Sequence, residues 1–144
     1  MVLKKIDKIF ITWMRRHGHT ALRLAIGIVF IWFGVLKVLG TSPVAELIER
    51  TYPFFPQPEF LIFLGLWEIV IGIGLVCKIA LRTVLALLWL QMSGTFTALL
   101  LDPSIFFMHS NVLLLTTEGE FVIKNLVFIA ASTVIGGQDV ESWI

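Results

Sequence analysis

The chain has 144 residues, of which 58% are hydrophobic and only 15% charged, and its mean hydropathy is +0.94. That balance excludes an ordinary soluble domain and places the chain among integral membrane proteins. The formal net charge of +1, with no basic patch interleaved with aromatics, speaks against nucleic-acid binding. A single cysteine, Cys77, leaves neither an intrachain disulfide nor a Cys-x-x-Cys redox pair.

Residues 1–19 read as an amphipathic interfacial helix. On a helical wheel Val2, Leu3, Ile6, Ile9, Phe10, Trp13 and Met14 share one side, and Lys4, Lys5, Asp7, Lys8 and Thr12 the other. Docking against a partner helix is the rival reading. The apolar run that follows is too long for a signal-peptide core and lacks a small-residue cleavage site, so it is expected to remain as an anchor. Residues 20–137 then hold four spans: Ala21–Leu39, Phe60–Ile79, Leu81–Leu101 and the shorter Phe121–Ile135. The first three approach the roughly 20 residues that a bilayer core requires. Residues 138–144 read as a short tail. The predicted fold is all-α, an antiparallel four-helix membrane bundle with the interfacial helix at its N-terminus.

The connections differ in character. Ser42-Pro43 resembles an N-cap with proline at the first helical position, opening a short helix through Arg50. The aromatic, proline-rich segment Tyr52–Pro58 follows, and Lys78–Arg82 joins spans two and three as a tight hairpin. Five Lys and Arg residues precede span one, and Lys78 and Arg82 lie in the hairpin, whereas the other two connections hold only Arg50. By the positive-inside rule both termini are expected to be cytoplasmic.

Polar and small residues recur at helical spacing within the spans. Arg23, Gly27, Phe30, Gly34 and Lys37 line span one; Gly65, Glu68 and Gly72 share a face of span two. Gln91, Gly94, Thr95 and Ala98 do so in span three, and Glu120, Lys124, Phe128 and Ala131, with Asn125 beside them, in span four. Glu68 stands out, since an acid at a helix centre costs about 2.5–3.5 kcal/mol on insertion scales. It falls eight residues into span two, roughly 12 Å below the outer surface. Either Lys37 or Lys124 is within reach of its carboxylate. The predicted ligand pocket is therefore Lys37, Glu68, Gln91, Lys124 and Asn125, with Arg23 and Arg82 marking the cytoplasmic end.

The plainer account is structural: Lys37 and Lys124 snorkel to the interface, one of them satisfies Glu68, and Arg23 and Arg82 anchor helix ends. His17-Gly-His19 is a poor metal site without further ligands, and no metal site is predicted. No histidine falls within a span, which argues against internal haem ligation. No catalytic residue is assigned.

Three segments resemble the DoxX-like family of small four-helix membrane proteins. They are the helix from Arg23 through Gly27 and Gly34 to Lys37, the run Gly65-Leu-Trp-Glu68-Ile-Val-Ile-Gly72 followed by Arg82, and Gly119-Glu-Phe-Val-Ile-Lys124-Asn125. Ser42-Pro43 and Thr116-Thr117 are most similar to a branch linked to resistance to reactive chlorine species. The resemblance implies a bacterial inner-membrane protein tied to redox or oxidative-stress physiology, with relatives that act as subunits of quinone-linked oxidoreductases. A small hydrophobic or quinone-like molecule is then the expected ligand, and membrane lipid, a redox partner subunit and further copies of the chain are the expected partners. A small transporter and a structural assembly subunit are the alternatives. The chain carries no redox centre of its own, so enzymatic activity is not assigned.

Overall fold

The computed structural model describes residues 2–140. Helix α1 runs unbroken over Val2–Val38, 37 residues, or about 55 Å at 1.5 Å per residue. The expected interfacial segment thus continues directly into the first span. No proline interrupts it, and Thr12 and His17 satisfy their polar groups on the carbonyls one turn back. The described side chains between Lys4 and Gly18 are exposed, whereas Arg23, Ile26, Gly27, Phe30, Gly34 and Lys37 form a buried stripe. The helix stops at Gly40, whose φ of 68° ends the spiral. The Gly40 and Thr41 amides then donate back to the carbonyls of Lys37 and Leu36, closing the last turn.

Three further apolar helices complete the bundle. These are α3 (Glu59–Cys77), α4 (Leu81–Leu101) and a fourth span, Thr117–Asp139, built from α6 (Thr117–Ile123) and α7 (Asn125–Asp139). All four are long and apolar enough to cross a membrane. They pack in a square, α1 against α3, α3 against α4, α4 against α7 and α7 against α1. The α1–α3 seam is the tightest. Gly27 faces Gly72 and Gly34 faces Gly65, so closely that a Cβ on Gly34 would stand 2.5 Å from the Gly65 carbonyl oxygen. Backbones approach in this way only where side chains are missing from both helices.

Short elements cover the end of the bundle opposite the N-terminus. Helix α2 (Ala45–Thr51) starts two residues later than Ser42-Pro43 predicts: Ser42 and Pro43 sit in a turn, and no side chain caps the helix. Helix α5 (Pro103–Phe106) docks on the start of α6. There the Thr116 hydroxyl accepts from the Gly119 amide at 3.1 Å and donates to the Ile105 carbonyl at 2.7 Å. This cap opens the fourth span at Thr117, four residues before the predicted Phe121. At the other end the span continues to Asp139, inside the segment read as a tail; residues 141–144 of that tail lie outside the described residues.

The core divides in two. Ile26, Phe30, Ile71, Leu75, Leu88 and Ile135 belong to a large central cluster, while Ala98, Ile105, Phe106 and Val122 form a smaller one beneath α5. Phe30 and Met92 of the first cluster and Ala98 and Val122 of the second line the cavity that is the candidate site.

Candidate functional site

Glu68 and Lys37 lie at different levels of adjacent antiparallel helices. The glycine pairs put Lys37 opposite residue 62 of α3, six residues from Glu68, or about 9 Å along the axis. Helical side chains lean toward their own N-terminus. For Lys37 that direction is into the bundle, and for Glu68, on a helix of opposite sense, it is toward the loops. The two therefore converge. Lys37 Nζ donates to both carboxylate oxygens of Glu68, at 3.0 Å to Oε1 and 2.7 Å to Oε2. Both residues are more than nine-tenths buried.

Gln91 on α4 adds a third arm. Its Nε2 donates to Glu68 Oε1. A carboxylate only accepts, so the amide must present its NH2 and turn its oxygen away. That Gln91 Oε1 is buried and, among the described residues, has no hydrogen-bond partner. Asn125, at the start of α7, is likewise more than nine-tenths buried, and no described residue hydrogen-bonds its side-chain amide.

These groups border one cavity of about 300 Å³ in the half of the bundle nearer the loops. Lys37, Glu68, Gln91 and Asn125 all line it, and the remaining wall is largely aromatic and aliphatic, including Phe30, Phe60, Trp67 and Phe128. Its cover comes from α2 and the segment behind it: the Tyr52 hydroxyl donates to the Gly94 carbonyl at 2.8 Å. Burial pushes the Tyr52 phenol above its ordinary pKa.

Lys124 parts from the predicted group. It is exposed, and its amine lies 5.7 Å from the centre of the Phe121 ring rather than at the cavity. One residue turns a helix by about 100°, so with Asn125 facing inward its neighbour cannot share that wall. Glu120 is exposed for the same reason, and the buried face of this span runs through Val122, Asn125, Ser132 and Ile135.

The opposite end of the bundle holds a second polar centre, and only part of it was expected. Arg23 is buried and donates to the carbonyls of Leu75 and Val76 at the end of α3. Its Nε lies 3.1 Å from Asp139 Oδ2, and Lys78 Nζ lies 2.9 Å from Asp139 Oδ1. His19 approaches the same carboxylate at 3.9 Å. Arg82 is exposed on the first turn of α4. Asp139 escapes the sequence reading because it follows the apolar run, yet its spacing of four from Ile135 sets it on the buried face. Two cations, Arg23 of α1 and Lys78 of the hairpin, thus hold the end of α7 in place.

Comparison with known proteins bears on the same residues. No curated protein and no solved structure matches the chain. A family model described as DoxX matches residues 18–110, a stretch that contains Arg23, Lys37, Glu68 and Gln91 and ends before Asn125 and Asp139. That match covers well over half of the sequence and takes in three of the four spans, so the chain is a four-span membrane protein that belongs to the DoxX family.

Proposed function

We propose that the chain binds one small, mostly apolar molecule of quinone-like chemistry in the cavity beside Glu68. The observation that carries this reading is the buried Gln91 Oε1, which has no hydrogen-bond partner among the described residues and belongs to a side chain that lines the cavity beside the Lys37–Glu68 pair. A buried polar group left without a partner costs about 1–3 kcal/mol, and a bound hydroxyl would remove that cost. The volume suits a compact ring, at the lower end of the roughly 300–1,000 Å³ typical of small-molecule sites. Lys37 has three N–H groups and contacts two oxygens of Glu68, leaving one for a ligand carbonyl. Glu68 would then accept or return the proton that accompanies reduction or oxidation of such a ring.

Electrons come from elsewhere in this reading. The bound molecule carries them, and a redox partner subunit in the same membrane supplies or removes them, in redox or oxidative-stress physiology. A bacterial inner-membrane location rests on the DoxX resemblance, and the distribution of Lys and Arg supports cytoplasmic termini. A binding site is favoured over a transport path by what separates the two polar centres. Ile71, Leu75 and Leu88 are fully buried there and leave the cavity closed toward the Arg23 end.

The test is mass spectrometry of small molecules that copurify in mild detergent, comparing wild type with Glu68→Gln and Asn125→Leu. The Asn125 amide supports no other side chain, so its replacement leaves the bundle folded. A quinone or similar molecule near one per chain, lost in both variants, is the expected result. Lipid alone in all three samples would end this reading in favour of a structural subunit.

A further inference from the structure

The seams around the cavity are not equally closed. Gly27–Gly72 and Gly34–Gly65 shut the α1–α3 seam. Ring contacts of Phe30 with Phe128 at 5.5 Å and Phe33 with Phe121 at 6.1 Å shut the seam between α1 and the fourth span. Ala98 and Val122 pack in the buried cluster that joins α4 to that span.

The α3–α4 seam is different. Near the hairpin it is sealed, with the Trp67 indole donating to the Leu87 carbonyl at 3.3 Å. Farther from the hairpin, residues that line the cavity also face outward: Phe63 on α3 is 53% exposed and Leu90 on α4 is 60% exposed. Gly94, one turn beyond Leu90, lines the cavity too, and a Cβ built on it would meet nothing within 4 Å. This stretch of the seam is framed by Trp67 at one end and by the Tyr52–Gly94 hydrogen bond at the other. It lies along α3 and α4, both long and apolar enough to cross a membrane.

We infer that the cavity opens sideways into the bilayer between Phe63, Leu90 and Gly94, and that its ligand is a membrane-resident molecule with an apolar tail. This inference rests on the binding reading above and assigns the class of ligand. A compact head bearing hydrogen-bonding groups sits between Glu68 and Asn125, and the tail leaves through the seam into lipid. Acyl chains and a ligand tail are equally apolar, so the tail crosses the seam without any cost of dehydration. A ligand drawn from water would require an opening among the loops instead.

Equilibrium titration in lipid nanodiscs tests this with two probes, a benzoquinone carrying a decyl tail and the same head without a tail. Wild type binds both. In Gly94→Phe, a ring fills the open space beside the seam, and affinity for the tailed probe falls about tenfold or more while that for the tail-less probe stays within about twofold. Loss of both probes alike, or of neither, overturns the side opening and leaves the binding reading intact. Failure of wild type to bind either probe overturns both. A measurement that needs no substitution runs beside it: a photoreactive group at the end of the tail labels Phe63 or Leu90 in wild type. Labelling confined to α2 and the Tyr52–Pro58 segment would place the exit among the loops and overturn the inference.

Discussion

Lys37 and Glu68 meet across the tightest seam of the bundle, with one amine donating to both oxygens of one carboxylate at 3.0 and 2.7 Å. Neither residue has bulk water to fall back on, so each depends on the other for its polar contacts. Removing one partner of such a pair leaves a bare buried charge and costs about 3–5 kcal/mol, whereas replacing both with apolar groups is close to neutral. Lys37→Met and Glu68→Leu are therefore each expected to lower the unfolding temperature in detergent markedly, and the double variant to recover most of the loss. A cycle in which the two losses simply add would show that the pair is not coupled.

Close backbone approach makes a separate prediction. A Cβ on Gly34 would stand 2.5 Å from the Gly65 carbonyl oxygen, and one on Gly72 would stand 2.6 Å from that of Gly27. Backbone cannot swing aside as a flexible side chain can, so Gly34→Ala or Gly72→Ala must push α1 and α3 apart. The expected loss is about 1–3 kcal/mol, typical of an overpacked interior. Gly18 is the control: it is exposed in mid-helix with nothing within 4 Å, and alanine there should stabilise by about 0.5–1 kcal/mol. Thermal unfolding of the three variants side by side decides the matter. Equal stability of Gly34→Ala and wild type would rule out the close seam.

How much of this is legible in the sequence depends on whether one helix carries the information. The stripe from Arg23 to Lys37 is readable because α1 is regular there, and all five of its residues are buried. The fourth span resists the same treatment. Its first apolar residues follow an N-cap that apolar content does not reveal, and a tightened turn at Lys124 separates α6 from α7. Placing Lys124 and Asn125 on one wall ignores the rotation between neighbours, and only Asn125 reaches the cavity. The choice between Lys37 and Lys124 as the partner of Glu68 needs the α1–α3 register, which glycine pairs on two helices set together. The cover of the cavity is out of reach altogether, because Tyr52 bonds to a carbonyl 42 residues away. No local period encodes that contact.

Cys77 gives a direct check on the proposed orientation. It is exposed at the hairpin end of α3, beside Lys78, on the side where α1 begins. With cytoplasmic termini, a membrane-impermeant maleimide should leave Cys77 unlabelled in intact spheroplasts and label it in inverted vesicles. A Phe54→Cys, Cys77→Ala variant should give the opposite pattern, since Phe54 is exposed in the connection at the other end. Labelling of Cys77 in intact spheroplasts would reverse the assignment.

Tyr52 reports on the cover of the cavity, and it does so cleanly because it is the single tyrosine of the chain. Its hydroxyl donates to the Gly94 carbonyl at 2.8 Å, a bond that only the protonated phenol can make. Burial raises its pKa above the ordinary value of about 10. A group whose pKa is higher in the folded state than in the unfolded one lends stability that is fully present below the unfolded value. That stability is lost as pH rises through the folded value. The absorbance of the phenolate should therefore appear at higher pH in the folded protein than after denaturation. Tyr52→Phe should remove the part of alkaline destabilisation that begins near pH 10. If the phenolate forms at the same pH in folded and denatured protein, Tyr52 is not held under the cover, and the cavity is open to water on that side.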